Sequence, residues 1–246
     1  MLEWNSIDTV LFDMDGTVLD LHFDNYFWED LVPARYAERH GLEKAEAQVL
    51  LRKRYENVKG TLDWYCLDFW SESLDMDIAS MKEEVRHKIA LRPFALEFLQ
   101  QLRSSGRSAL LVTNAHPDSM NLKMRHTGIA EHFDHTVSSH TVSSRIASSK
   151  AVGSQNLRLA KENAGFWHAL RQQHPFDPQR TLLIDDSLPV LRRAAAEGIR
   201  HLLAIRQPDS QRAPLQPEEF MQLDDFNQIM QGLQPTNTRG SGPVRD

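Results

Sequence analysis

Two carboxylates, Asp13 and Asp15, stand one residue apart directly after the apolar run 10–12, and Gly16 follows them. A short apolar run of this kind is typical of a buried strand, and a glycine after it allows a sharp turn. Open α/β sheets bind ligands at the carboxyl ends of their strands. Two carboxylates this close repel each other, and Mg²⁺, which prefers oxygen ligands, would relieve the repulsion. The pattern predicts a magnesium site, with an Asp-rich turn of no chemical role as the alternative.

Two later apolar runs also end in polar side chains. Thr113 and Asn114 close one of them, and Asp185 and Asp186 close the other. If the three runs are parallel strands of one sheet, their carboxyl ends lie at one edge, so these side chains would meet there. One polar strand end is easily a coincidence, but three in the same chain indicate a functional site.

The elements that would position these groups alternate along the chain. Apolar runs typical of strands are followed by stretches with the 3.6-residue periodicity of helices. Strands are predicted at 8–13, 109–114, 133–138, 181–184 and 200–205. The alternation indicates an α/β fold built on a doubly wound, Rossmann-like parallel sheet.

One long stretch, 20–91, breaks the alternation because its patterns are helical throughout. We interpret it as an all-helical cap inserted into an α/β core formed by 1–19 and 92–234. The serine-rich range 142–160 has little structural signal and is predicted to be a loop insertion. The polar tail 235–246 is predicted to be disordered.

Inside the predicted cap, the charged stretch 43–58 has the pattern of an amphipathic helix. We expect Val49, Leu50 and Tyr55 to lie on its inward face. Further helices are predicted in the core at 162–172 and 218–230.

The composition limits the classes of partner. The chain has 246 residues, a net charge of −6 and a single cysteine, Cys66. The charge argues against nucleic acid bound to a basic surface, and one cysteine excludes an internal disulfide. The amino terminus does not resemble a signal peptide, and no apolar run is as long as a membrane span. We therefore expect a cytoplasmic protein with no membrane partner.

A phosphate ester at this sheet edge would meet groups suited to its hydrolysis. Asp13 could attack phosphorus and form an aspartyl-phosphate, while Asp15 could act as general acid and then as general base. Mg²⁺ held by Asp13 and an aspartate of the last pair would screen the phosphate charge. Thr113 and Asn114 could donate hydrogen bonds to the phosphoryl oxygens. A lysine is still needed to neutralise the remaining charge.

The order of these groups resembles the haloacid dehalogenase superfamily. The four matching motifs are Asp13-x-Asp15-Gly16-Thr17, Thr113-Asn114, a lysine, and Asp185-Asp186. The helical insertion resembles the C1 cap of subfamily I. The resemblance implies that Asp13 is the nucleophile and Asp15 the acid and base. It implies Mg²⁺ ligation by Asp13, the main-chain carbonyl of Asp15 and Asp186, with Asp185 beside them.

The lysine motif departs from the family pattern. Lys161, followed by Glu162, is our choice for the phosphate-binding lysine, and Lys150 is the reserve. About twenty unmatched residues, 142–160, precede Lys161. If that segment displaced the loop, neutralisation of the phosphate would be weakened or lost.

Several longer strings resemble a narrower group, the bacterial nucleotidases that act on GMP and IMP. The strings are 20–28, 64–70, 113–117 and 184–187. This resemblance implies a purine 5′-mononucleotide as substrate. The alternatives are a phosphatase for sugar phosphates or phosphoglycolate, and an impaired member that acts as a binding protein. A phosphoacceptor module and dehalogenation at carbon fit less well, since the acidic pair comes last and Asp15 suits phosphoryl transfer.

Other polar and aromatic residues allow two interpretations each. Cap aromatics could stack a purine, although aromatics at helical spacing more often form core; they are Tyr26, Phe27, Trp28, Trp64, Tyr65 and Trp70. Asp24 could contact substrate or cap a helix, and His116 could lie at the site edge or on the surface. His132, His135 and His140 are interpreted as exposed histidines, and Cys66 as a small buried residue.

Overall fold

A computed structural model describes residues 2–145, 156–216 and 219–234 of the chain. Its centre is a six-stranded sheet in the order β3-β2-β1-β6-β7-β8, and each neighbouring pair is parallel. The strands are β1 (Thr9–Phe12), β2 (Ser108–Thr113), β3 (His135–Ser138), β6 (Thr181–Asp185), β7 (His201–Ile205) and β8 (Met221–Leu223), and a separate antiparallel pair is formed by β4 (Ser143–Arg145) and β5 (Asn156–Arg158).

The inner strands are apolar because both faces of the sheet are covered by helices. Every residue of β1 and β6 is buried, so these strands do not alternate between polar and apolar positions. The helices of the core are α6 (Ala95–Ser104), α7 (Pro117–Thr127), α8 (Phe166–Gln173), α9 (Leu188–Ala196) and α10 (Asn227–Met230). The predicted doubly wound α/β class is confirmed.

Successive residues of β1 face opposite layers of the core. Phe12 packs edge-on against Phe98 and Phe133, with ring centroids 5.9 and 5.6 Å away. Its neighbour Leu11 packs on the other side of the sheet, in a separate apolar cluster that includes Phe166 and Trp167. This alternation is the two-residue period of a strand.

The register of the sheet sets the level of the site. Phe12 lies opposite Leu111 of β2 and Ile184 of β6. The residue after Phe12, Asp13, is therefore level with Asp185, and Asp13 donates its backbone N–H to the Ile184 carbonyl at 3.0 Å.

The inserted cap is entirely helical in the described residues between β1 and α6. Its α-helices are α1 (His22–Tyr26), α2 (Val32–His40), α3 (Lys44–Val58), α4 (Leu67–Leu74) and α5 (Ile78–Glu84), joined by a π-helix (Phe27–Leu31) and the 3₁₀ turns Leu62–Tyr65 and Arg86–Lys88. None of the helices in the described ranges is long and apolar enough to cross a lipid bilayer. The boundaries at 20 and 91 stay predictions.

The two chain crossings between core and cap run side by side. Leu19 and Leu91 form an antiparallel bridge. Arg92 donates its backbone N–H to the Val18 carbonyl at 3.0 Å, and Asp20 donates to the Ala90 carbonyl at 2.9 Å. The cap therefore leaves and rejoins the core through one hydrogen-bonded ribbon.

The predicted inward face of α3 is wrong at two positions. Val49 is 70% exposed and Leu50 is 48% exposed, whereas Ala47 and Leu51 are buried. Residues four apart share a helix face, so the buried pair defines a stripe that leaves Val49 and Leu50 toward solvent. Tyr55 is partly buried and packs against the core cluster, as expected.

Three predicted elements also differ from the structure. The predicted helix at 218–230 contains the edge strand β8, and helix α10 occupies only its end. The helix predicted at 162–172 begins at Phe166. The paired strands β4 and β5 lie in 142–160, where a loop is predicted. Residues 146–155 and the tail 235–246 lie outside the described residues, so disorder of the tail stays a prediction.

Candidate active site

The polar strand ends meet at the carboxyl edge of the sheet. Asp13 follows β1, Thr113 ends β2 and Asp185 ends β6, and all three side chains are buried. Asn114 is buried beside them, with its Oδ1 accepting a hydrogen bond from the backbone N–H of Lys161 at 2.9 Å. The structure thus brings together groups from three strands and from the turn before α8.

Lys161 is the cation at this edge. Its ammonium Nζ lies 2.5 Å from Asp13 Oδ1 and 2.7 Å from Asp185 Oδ2. Asn114 fixes the backbone of Lys161 and donates from Nδ2 to Glu162 at 2.9 Å. The segment 142–160 therefore does not displace Lys161 from the other motifs. Lys150 lies outside the described residues.

Three carboxylates form a group that could hold a cation. One oxygen from each of Asp13, Asp185 and Asp186 lies within 4.8 Å of the others. Gly16 makes room for this group: its φ is +85°, and a Cβ built there would lie 2.5 Å from Asp186 Oδ2. A side chain at position 16 would therefore collide with Asp186. An all-oxygen donor set of this kind suits Mg²⁺.

Burial disfavours the charges of these carboxylates. It raises the pKa of Asp13 to about 6, with the Asp185 charge adding to the rise and Lys161 opposing it. Burial and the neighbouring carboxylates raise the pKa of Asp186 well above its usual range. Burial opposes the charge of Lys161 as well, but Asp13 and Asp185 outweigh it and raise the pKa of Lys161. The site holds more negative than positive charge, which favours a bound cation.

Asp15 contacts a second buried lysine, Lys123 of α7. Lys123 Nζ lies 2.7 Å from Asp15 Oδ1 and 2.6 Å from Asp24 Oδ2. Asp24 belongs to the cap, and its other oxygen lies 2.6 Å from Nζ of Lys82 on cap helix α5. Lys82 also approaches the hydroxyl of Ser119 at 3.3 Å. This chain of charges, the seam cluster, joins the cap to the core beside Asp15.

The seam cluster determines the protonation of its carboxyl groups. Burial raises the pKa of Asp15 to about 7; the Asp24 charge adds to the rise and Lys123 opposes it. For Asp24, burial is outweighed by Lys123 and Lys82, which hold its pKa below the usual range. Burial lowers the pKa of Lys82, whereas the two carboxylates raise that of Lys123 against burial. Asp15 is therefore poised near neutral pH.

The sequence interpretation missed Lys82 and Lys123. Lys82 stands next to Glu83 and Glu84 in the sequence, and yet it is only 3% exposed. A signal for its burial existed, because Ile78, Met81 and Val85 place position 82 inside an apolar stripe of helical spacing. Asp24, expected to cap a helix or contact substrate, is instead the carboxylate that both lysines contact.

A cavity of about 380 Å³ lies between cap and core, with the catalytic candidates on its floor. Asp13, Asp15 and Lys161 line it from the core. Its cap wall is largely aromatic and includes Trp28, Tyr55, Trp64, Tyr65 and Trp70. This volume is within the usual range for small-molecule sites. Of the other aromatics considered, Phe27 is fully buried in the core, and Tyr26 is not among the described lining residues.

The structure also shows the contacts of His116, expected at the site edge or on the surface, and of His22. His116 lines the cavity and accepts a weak hydrogen bond at Nδ1 from the Asp118 N–H at 3.4 Å. His22 lies at the cap entry, 3.7 Å from Asp209. Neither touches Asp13 or Asp15 through a hydrogen bond among the contacts described for these residues.

Comparison with known proteins gives the class to which this fold and site belong. Residues 7–198 match the model of the haloacid dehalogenase-like hydrolases. The chain belongs to this family, as the motif order predicts.

Within the family, the chain is similar to the GMP/IMP nucleotidase YrfG of Escherichia coli K12. The two are 40% identical over 232 residues, which are 94% of this chain and 98% of the relative. The same identity and coverage hold for YrfG of Shigella flexneri. The family and these relatives support the expected enzyme class, a phosphoric monoester hydrolase.

Solved structures share the fold at lower identity. The crystal structure of a phosphatase of this superfamily from Thermococcus onnurineus matches with a TM-score of 0.69 and 21% identity, covering 91% of this chain and 96% of that one. The magnesium-bound hydrolase YfnB of Bacillus subtilis matches with a TM-score of 0.58 and 18% identity, covering 91% and 96%. At these identities the likeness concerns the fold.

Proposed function

We propose that this hydrolase is a Mg²⁺-dependent phosphomonoesterase that acts on purine 5′-nucleotides, with GMP and IMP as its substrates. The observation that carries the proposal is the cavity itself, in which Asp13, Asp15 and Lys161 form the floor and aromatic cap residues form the wall. The 40% identity to a GMP/IMP nucleotidase over 94% of the chain supports the substrate class.

The donor set fits a magnesium ion. Asp13, Asp185 and Asp186 offer carboxylate oxygens within 4.8 Å of one another. The single positive charge of Lys161 does not balance these three carboxylates. Mg²⁺ would be held by Asp13, Asp186 and the main-chain carbonyl of Asp15, with Asp185 beside them. When bound, it would screen the carboxylates from the phosphate and orient the phosphoryl oxygens.

The reaction steps fall to Asp13 and Asp15. A carboxylate oxygen of Asp13 attacks phosphorus, and the bond from phosphorus to the ester oxygen breaks as Asp15 gives that oxygen its proton. The products of this step are a nucleoside and an aspartyl-phosphate. Asp15 then takes a proton from water, which attacks phosphorus and releases inorganic phosphate and the Asp13 carboxylate. A pKa of about 7 allows Asp15 to serve as acid and as base.

Three further residues would bind the phosphoryl group. Thr113 and Asn114 offer a hydroxyl and an amide at the end of β2, and Lys161 offers an ammonium at the same edge. Lys161 is already held by Asp13 and Asp185, so its charge is positioned before substrate arrives. Such pre-positioned charge stabilises phosphoryl transfer without reorganisation during the reaction.

The cap wall would bind the base. Trp28, Trp64 and Tyr65 line the cavity and are partly exposed, so a ring face is within reach of a ligand. Trp70 is only 2% exposed, and its ring packs edge-on against Tyr55 with ring centroids 5.0 Å apart. We assign purine stacking to the partly exposed group and a supporting role to Trp70.

Phosphate release from a panel of substrates tests the proposal. The panel contains GMP, IMP, AMP, UMP, glucose 6-phosphate and phosphoglycolate, each with and without Mg²⁺. We expect the highest kcat/KM for GMP and IMP and no turnover after chelation of Mg²⁺.

The remaining outcomes separate the parts of the proposal. Preference for a sugar phosphate or phosphoglycolate would overturn the nucleotide assignment and keep the enzyme class. Absence of turnover on every member, with GMP still bound in calorimetry, would show a binding protein instead.

A further inference from the structure

A second group of potential metal ligands lies between cap and core and shares no residue with the carboxylate group of the active site. One ligand atom from each of Cys66, His116 and His140 lies within 4.8 Å of the other two. All three residues are partly buried. The three come from separate parts of the chain, so their meeting is a property of the tertiary structure.

Each ligand is carried by a different short element. Cys66 stands between the 3₁₀ turn Leu62–Tyr65 and α4, in the cap. His116 caps the amino terminus of α7 in the core. His140 lies in the 3₁₀ turn Ser139–Thr141 that follows β3. A metal bound by all three would therefore be shared between the cap and two loops of the core.

The donor types select the metal. A thiolate and two imidazoles favour Zn²⁺ and similar transition metals, whereas Mg²⁺ favours oxygen ligands. A thiolate is a poor partner for the ion expected at the aspartates. The two sites would therefore differ in the ion that they bind.

Ligation through His116 would break one weak contact. Its Nδ1 accepts a hydrogen bond from the backbone N–H of Asp118 at 3.4 Å, and its Nε2 lies 3.5 Å from Asp68 Oδ2. A metal on Nε2 requires the tautomer with the proton on Nδ1, so the hydrogen bond from Asp118 would be lost on binding. The rings of His116 and His140 lie 5.2 Å apart at 76° to each other. Asp68 is exposed and lies with Asp118 beside His116, away from the Cys66–His140 pair, so water would complete the coordination at the fourth position.

The spacing is close to that of a bound ion. Zinc bonds of about 2.0–2.3 Å in a tetrahedral site place neighbouring ligand atoms roughly 3.3–3.8 Å apart. The limit of 4.8 Å between the ligand atoms here is at most about 1.5 Å wider than that. Binding one ion would therefore bring the ligand atoms closer together by no more than that amount.

We propose that Cys66, His116 and His140 form a three-residue, Zn²⁺-type transition-metal site that joins the cap to the core, with water at the fourth position. His116 also lines the catalytic cavity. A metal at the seam ties the cap wall to the core next to the substrate, so it slows the opening that admits substrate and releases product. The site is thus an inhibitory one, and this last consequence rests on the proposed function.

Cobalt titration tests the site independently of any activity. The full chain is titrated with Co²⁺ in excess Mg²⁺, which occupies the aspartate site, and visible and near-ultraviolet absorption are recorded. We expect one tightly bound Co²⁺ with a thiolate-to-cobalt band and the strong visible absorption of tetrahedral Co²⁺. Cys66→Ser should abolish the band and weaken binding at least 100-fold, since even loss of a supporting residue costs about 10–100-fold.

His140→Gln is the second variant, and it keeps the proposal falsifiable if Cys66→Ser fails to fold. It should weaken binding to a similar degree while preserving the thiolate. His132→Gln, a change of the same kind outside the site, is the control and should bind like the wild type. Equal Co²⁺ affinity and spectra in the wild type and both site variants would overturn the proposal.

The inhibitory effect is tested with Zn²⁺ at low concentration and Mg²⁺ in excess. We expect Zn²⁺ to lower GMP hydrolysis at least tenfold in the wild type and to leave Cys66→Ser unaffected. Cys66 is not among the described residues that line the cavity, so its variant should keep the metal-free rate. Cobalt binding without zinc inhibition would overturn the inhibitory role and keep the site. A failure of the proposed function would instead appear as no hydrolysis even without Zn²⁺.

Discussion

Lys161 and Lys123 are both buried, and each lies between two carboxylates. Lys161 contacts Asp13 and Asp185 at 2.5 and 2.7 Å, and Lys123 contacts Asp15 and Asp24 at 2.7 and 2.6 Å. The first arrangement consists of core residues only. The second joins the core to the cap, because Asp24 belongs to α1.

Their charge balance differs as much as their origin. The first arrangement, together with Asp186, is called the core cluster. In it, three carboxylates face one lysine, since Asp186 adjoins Asp13 and Asp185. In the seam cluster, Asp15 and Asp24 are balanced by Lys123 and Lys82. An excess of buried negative charge is costly unless a cation offsets it. The comparison supports the proposal that the core cluster binds a cation and a phosphate. In the seam cluster, by contrast, two lysines match two carboxylates and join the cap to the core beside Asp15.

The largest effect is expected from Asp13→Asn. The amide cannot attack phosphorus, so kcat should fall by at least about four orders of magnitude. The protein should stay folded, because Lys161 keeps Asp185 as a partner. Steady-state kinetics with GMP and circular dichroism measure the two effects.

Asp8→Asn is the matched control, because Asp8 precedes the same strand and forms a surface ion pair with Arg180. It should keep full activity. Turnover of Asp13→Asn near the wild-type rate would remove Asp13 from the chemistry and leave the core cluster as a binding site.

Lys161→Ala should have the next largest effect. Loss of the ammonium removes charge stabilisation at the phosphoryl oxygens and should lower kcat/KM about 10²–10³-fold. Lys150→Ala, the alternative lysine, should change kcat/KM less than twofold. If Lys150→Ala had the larger effect, Lys161 would pair with Asp13 and Asp185 without taking part in catalysis.

Asp24→Asn tests whether the seam cluster holds the cap. It removes the carboxylate that Lys82 and Lys123 share, so the free energy of unfolding should fall by about 3 kcal/mol. Asp30→Asn changes a half-exposed pair with Lys44 and should cost less than about 1 kcal/mol. Urea unfolding of both variants at pH 7 measures the difference. Equal losses of stability in the two variants would contradict a structural role of the contacts that Asp24 makes with Lys82 and Lys123.

The contribution of Asp24 should also depend on pH. Its pKa lies below the ordinary 3.8, because Lys123 and Lys82 outweigh burial. Stability from such a group is present above the unfolded-state pKa and is lost as the pH falls through the folded-state pKa. The stability difference between the wild type and Asp24→Asn should therefore shrink as the pH falls below about 3.8. A constant difference down to pH 2 would contradict this.

The smallest effect separates the two lysines of the seam cluster. The pKa of Lys82 is lowered by burial, whereas that of Lys123 is raised by its two carboxylates. Lys82→Met leaves Asp24 paired with Lys123 and should change the free energy of unfolding by about 1 kcal/mol or less. Lys123→Met leaves Asp15 without its cation and should cost about 3 kcal/mol. Equal costs in urea unfolding would show that the two lysines contribute equally and would contradict this ranking.

The core cluster was accessible from sequence because its residues follow strands. Apolar runs predict buried strands, and parallel strands place their ends at one edge, so Asp13, Thr113 and Asp185 could be grouped without coordinates. Lys161 was chosen by its place in the motif order, and the structure puts it beside Asp13. The catalytic roles of these residues stay predictions.

The seam cluster was not accessible in the same way. The apolar stripe around position 82 indicates burial of Lys82, but the partners that Lys82 and Lys123 meet depend on how α5 packs against α7. Packing between two helices is a tertiary property that one helix pattern does not determine. The same reason explains Val49 and Leu50, whose exposure follows from which face of α3 meets its neighbours. Edge strand β8 was missed because three residues are too few to show a strand period.

The ribbon formed by Leu19 and Leu91 has an evolutionary consequence. The chain departs for the cap and returns at adjacent points, joined by the hydrogen bonds Arg92 N–H to Val18 and Asp20 N–H to Ala90. The two ends of the cap segment are therefore adjacent at the core, like the two ends of a short surface loop. Its length and sequence can diverge, or be replaced by another segment, without moving β1 relative to α6. Substrate preference can therefore change through residues of the cap, while the residues at the edge of the sheet stay the same.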